Sequence, residues 1–105
     1  MLKENEKITF YGSEIIEVIK EVNYILISLN KIGNHYYNEA EISNERMIEY
    51  KLETADFIDR NEICTKLANI RKILSEKFND ELGTDDMDDI ERATEETIYW
   101  ENPGD

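Results

Sequence analysis

Apolar residues recur at three- and four-residue intervals over most of this chain, the spacing of helices that turn one face inward. The clearest run is Ile15, Val18/Ile19, Val22, Ile25/Leu26 and Leu29, widened by Ile16 and Ile27. Ser13, after Gly12, is placed to cap its start, and Glu14 and Glu17 suit the positive end of the helix dipole. Lys31 suits the opposite end, and Gly33 is placed to stop the helix. This pattern predicts a central first helix. Tyr37, Ala40, Met47, Ile48, Leu52, Ala55 and Ile58 predict a second helix from about His35 to Ile58, with Ser43-Asn44 as the alternative start of a separate one. Asp59-Arg60-Asn61 marks a break, and Asp59 with Glu62 has the form of a capping box. Ile63, Leu67, Ile70, Leu74 and Phe78 then predict a third helix, with Cys64, Ala68 and Arg71 beside its stripe and Gly83 at its end. Thr84 or Asp85 caps a fourth, whose narrow stripe is Met87, Ile90, Ala93/Thr94 and Ile98, closed by Tyr99-Trp100 before Pro103-Gly104.

Lys7-Ile8-Thr9-Phe10-Tyr11 alternates briefly, but a lone strand has no partner to pair with. It reads as a short extended N-terminal arm that packs Phe10 on the helices. The fold expected is therefore all-α: a four-helix, bundle-like single domain over residues 1–105. There are no internal repeats and no sustained heptads, so a long coiled coil is not expected.

Charge changes this picture most. The 105 residues carry 25 Asp and Glu against 12 Lys and Arg, a net of −13. Residues 1–75 are nearly balanced at −3, whereas residues 76–105 hold twelve acids against two bases, a net of −10. Phosphate recognition needs clustered Lys and Arg, so direct nucleic-acid binding is not expected, nor is an anionic membrane surface as partner. A field of this sign draws cationic proteins. The acids of the C-terminal third exceed what helix-dipole compensation requires, and like charges at helical spacing repel by a few tenths of a kcal/mol per pair. That local cost points to a cationic counterpart. Asp80, Glu81, Asp85, Asp86, Asp88, Asp89, Glu95 and Glu96 are the candidate partner-binding acids, with Tyr99 or Trp100 as anchor.

Catalytic and metal chemistry find little footing. His35 is the only histidine, which removes the usual triads and histidine-based zinc or di-iron sites. Asp85-Asp86-Met87-Asp88-Asp89-Ile90 departs from a calcium loop, with Met87 at the third position and Ile90 where glycine belongs. Cys64, the only cysteine, falls beside an apolar stripe and reads as a small buried hydrophobe. No glycine-rich phosphate loop is present. The expectation is a binding protein with no cofactor or metal, not an enzyme. No run of 18 apolar residues is found, and Met1 to Lys7 has no apolar leader, so a cytoplasmic protein is expected; a single cysteine suits a reducing compartment.

In its length, its acidic helical build and the segment Gly83 to Trp100, the chain resembles the small acidic immunity proteins of bacterial toxin–immunity systems, of the contact-dependent growth inhibition or nuclease-bacteriocin type. That resemblance implies a cytoplasmic antitoxin paired with one cognate basic toxin, a nuclease domain. It transfers no site residues. Two alternatives stand beside it. One is a nucleic-acid-mimicking phage inhibitor of a restriction or CRISPR enzyme, which the nearly balanced residues 1–75 disfavour. The other is a small helical oligomerisation or regulatory module, whose binding would survive high salt. Oligomeric state stays open at this point.

Overall fold

The computed structural model describes residues 1–38 and 41–102. The chain is all-α, with four α-helices and no strand among the described residues: α1 (Gly12–Tyr36), α2 (Asn44–Arg60), α3 (Ile63–Ser75) and α4 (Asp89–Thr94), preceded by a 3-10 turn over Lys3–Asn5. Two compact units divide it. One spans Phe10–Leu74; the other joins Met1–Thr9 to the chain from Ser75 onward.

In the first unit, α1 is capped two residues earlier than expected. Tyr11, not Ser13, is the N-cap, because Glu14 then sits at the third helical position and its carboxylate accepts the Tyr11 amide at 2.9 Å. The helix also runs through Gly33 to Tyr36. A helical glycine costs only about 1 kcal/mol relative to alanine, and packing of the last turn outweighs it. The Tyr36 ring stands 5.9 Å from Tyr50, and the Arg46 guanidinium lies 4.5 Å above it. Arg46 also donates to the His35 carbonyl at 3.2 Å and pairs with Glu49. The second helix therefore does not begin at His35. Ser43 caps it, its hydroxyl accepting the Arg46 amide at 3.2 Å. The Ala40 position of the expected stripe lies outside the described residues, as do Pro103 and Gly104.

Helix α2 runs back along α1. Arg46 and Tyr50 meet Tyr36, and Phe57 reaches Tyr24 with ring centroids 6.0 Å apart. It continues through Asp59, so the expected Asp59–Glu62 cap does not form. Asn61 ends it instead, and Glu62 turns the corner with φ of 50°, in the left-handed region. Asn61 fixes that corner twice: its amide donates to the Phe57 carbonyl at 3.0 Å, and its oxygen accepts the Tyr24 hydroxyl at 2.9 Å. Helix α3 then carries Lys66 to Glu21, an ion pair of 3.5 Å. One face of α1 is thus covered by α2 toward its C-terminal end and by α3 near Glu21.

The core is thin. Ile63, Ile70 and Ile73, all on α3, are the buried hydrophobic residues among those described. Cys64, expected to be buried, is exposed; it lies a quarter turn from the buried line of Ile63 and Ile70. Helix α3 stops at Ser75, well short of Gly83, and Phe78 follows it in a turn whose amide donates to the Ser75 carbonyl at 3.0 Å. No helix among the described residues is long and apolar enough to cross a membrane.

Candidate protein-interaction surface

The acidic C-terminal third lies in the second unit, where side chains from the N-terminal turn organise it. Asn5, 4% exposed, holds Asn79 at both backbone groups: its oxygen accepts the Asn79 amide at 2.8 Å and its amide donates to the Asn79 carbonyl at 2.9 Å. The same Asn5 amide donates to Asp89 Oδ2 at 2.7 Å, and the Leu2 backbone N–H donates to that oxygen at 2.7 Å. Buried polar groups need such partners to offset the loss of water. The extended arm expected at the N-terminus is therefore preceded by a 3-10 turn that locks onto the acidic segment.

Arg92 collects the remaining lone pairs. Its guanidinium makes a bidentate pair with Asp85, Nε to Oδ2 and Nη2 to Oδ1, both at 2.8 Å. Its Nη1 donates to Asp89 Oδ1 at 2.9 Å and its Nη2 to the Met87 carbonyl at 3.0 Å. These contacts set the protonation of the cluster. Hydrogen bonding to Arg92 holds the Asp85 carboxyl well below the usual carboxylate range. Asp89 is held down by Asn5 first, then by the Leu2 amide, and Arg92 is pushed further up by Asp85. Gly83 permits the arrangement: a Cβ there would stand 2.7 Å from Arg92 Nη2. Asp86 turns the loop with φ of 60°.

The ten sequence-predicted residues consequently separate into two groups. Asp85, Asp88 and Asp89 are engaged within the chain. Asp88 is the N-cap of α4, its side chain accepting the Glu91 amide at 2.8 Å, while Asp89 is buried and Asp85 is paired with Arg92. Asp80, Glu81, Asp86, Glu95 and Glu96 are exposed. Tyr99 and Trp100 are exposed as well, at 72% and 83%, beside Ile98 at 91%. The expected fourth helix would have carried the aromatic pair on its last turn. Helix α4 is only Asp89–Thr94, so Ile98, Tyr99 and Trp100 follow it outside any helix. The Trp100 indole N–H donates to Asn102 at 2.8 Å.

Sequence reasoning missed Asn5 and Arg92. Arg92 had a signal: it is one of two bases among residues 76–105, three positions after Asp89 and seven after Asp85. A lone cation in an acidic run points to an internal ion pair. Asn5 had none, since a single polar residue near a terminus carries no periodicity. No group of three or more His, Cys, Asp or Glu side chains among the described residues is arranged to hold a metal ion. The chain matches no known protein family, no curated protein and no solved structure.

Proposed function

We propose that this protein acts by binding, and that it neutralises a cognate basic toxin, a nuclease domain, in the manner of an immunity protein. The observation that carries the reading is the pairing of exposed acids with exposed aromatics in one short segment. Glu95, Glu96 and Glu101 flank Ile98, Tyr99 and Trp100, and all six are exposed. Tryptophan and tyrosine dominate binding energy where they enter a partner's pocket. Carboxylates around them steer a cationic surface into place and speed association. Nuclease clefts are cationic because they hold phosphate, and so present the complementary charge. Such an antitoxin works in the cytoplasm, where the toxin's substrate lies, and needs no cofactor, catalysis or direct contact with nucleic acid.

Calorimetric titration of the full chain with the C-terminal domain of the protein encoded immediately upstream tests the reading. The expected result is a one-to-one complex whose affinity falls as salt is raised. No heat of binding, or an affinity indifferent to salt, overturns it.

A further inference from the structure

On α1 the face turned away from α2 and α3 is apolar, uncharged and uncovered. Ile15, Ile19, Val22 and Leu26 form a row at spacings of four, three and four residues. They are 37%, 49%, 41% and 53% exposed. Ile16 and Ile27 flank the row at 55% and 50%. Beyond this row Leu29 and Gly33 are partly buried, and a Cβ at Gly33 would meet no atom within 4 Å. At about 100° per residue, the arc from Ile15 round to Ile27 takes in Asn23, Asn30 and Asn34 but no Asp, Glu, Lys or Arg. On a chain of net charge −13, such an arc is where two like molecules can meet without repulsion.

We propose that two copies of this chain pair antiparallel through this face of α1. Two observations favour a second copy over a foreign partner, and a third shows that the face needs covering. First, the spacing is palindromic, so reversing one helix sets Ile15 opposite Leu26 and Ile19 opposite Val22, the self-complementary contact that two-fold symmetry demands. Second, the face offers nothing to a cationic protein, because it carries no acid. Third, α1 has no buried residue of its own. A helix of this length draws its stability mainly from burial of its apolar face, and α2 and α3 bury only one side of it. The pairing is a short helix contact as in a two-chain bundle, not a long coiled coil. No residue of the Ile98–Trp100 segment belongs to the row, so the pairing stands independently of the toxin reading.

Sedimentation equilibrium of the full chain tests this. The wild type is expected to show twice the mass of one chain at micromolar concentration. Raising salt from about 0.1 to 1 M, which shortens the screening length from about 10 to 3 Å, is expected to tighten the dimer by relieving repulsion between acidic copies. Ile15→Lys and Leu26→Glu, both at half-exposed positions and checked for helicity by circular dichroism, are each expected to give monomers. Mixed together they are expected to form a heterodimer, since only the antiparallel arrangement brings the introduced lysine of one helix to the introduced glutamate of the other. Trp100→Ala is expected to leave the dimer intact. A monomeric wild type at all accessible concentrations overturns the proposal, as does a dimer that survives both substitutions. A mixture that stays monomeric rules out the antiparallel register.

Discussion

Asn5 donates a 2.7 Å hydrogen bond to Asp89, a side-chain contact that spans 84 positions of the sequence. Both residues are buried, and both have further partners. The contact ties the first turn of the chain to the start of α4. An acidic run that looks like open charge in the sequence is, at this point, part of the architecture.

Acid should loosen this tie. Asp85 and Asp89 have folded-state pKa values below the ordinary carboxylate value, so their stabilisation is fully present above about pH 3.9. It is lost as pH falls below that through the depressed values, because the folded state then has to take up protons it disfavours. Thermal melts followed by circular dichroism between pH 7 and pH 2 should show a falling midpoint in that window. Asp89→Asn should lower the midpoint at pH 7 and flatten the fall below pH 4.

Arg92→Gln should release the loop from Gly83 to Asp88. Asp85 loses its bidentate partner and Asp89 one of its three donors. Amide hydrogen exchange at Leu2 and Asn79 is expected to quicken. Gly83→Ala should act in the same direction but less, because the added methyl displaces the guanidinium without removing it.

The thin core should answer unequally to truncation. Ile70→Ala removes a buried side chain of α3 and is expected to cost about 3 kcal/mol in urea unfolding. Leu52→Ala, at a position 66% exposed, should cost less than about 0.5 kcal/mol. Equal losses at both sites would place Leu52 in a buried contact.

Ser43→Ala should cost about 1 kcal/mol through loss of the α2 cap. Ser43→Asp should retain most of that stability, since its carboxylate can accept the same Arg46 amide that Ser43 accepts now.

Much of the fold was legible in the sequence, for reasons that particular residues make plain. The stripe through Ile15 and Leu29 and that through Ile63 and Ile70 are helices because period 3.6 leaves few other ways to group them. Ser43 acts as the cap of a separate second helix, as short side chains that accept backbone amides commonly do; the fourth helix is capped by Asp88 and not by Thr84 or Asp85. The boundary that failed at Gly33 depended on contacts beyond its own helix. Helix α1 passes Gly33 because Tyr36 has Arg46 and Tyr50 to meet, and nothing local to Gly33 reports that. Of the interaction surface, composition marked the whole run from Asp80 to Trp100. It did not divide the run, because the division depends on Asn5 and Arg92. Charge says how many carboxylates exist, and geometry says which of them are already engaged.

Growth rescue tests the central claim most directly. The C-terminal domain of the protein encoded immediately upstream is expressed with the wild-type chain, with Trp100→Ala, and with the double variant Glu95→Gln and Glu96→Gln. The account predicts that the domain is toxic and that the wild type restores growth. It predicts that Trp100→Ala weakens binding by roughly thirty-fold, as loss of about 2 kcal/mol at an anchor residue requires, and that the double variant weakens it further at low salt, each with its fold intact. A harmless domain would contradict the account, and so would full rescue by both variants.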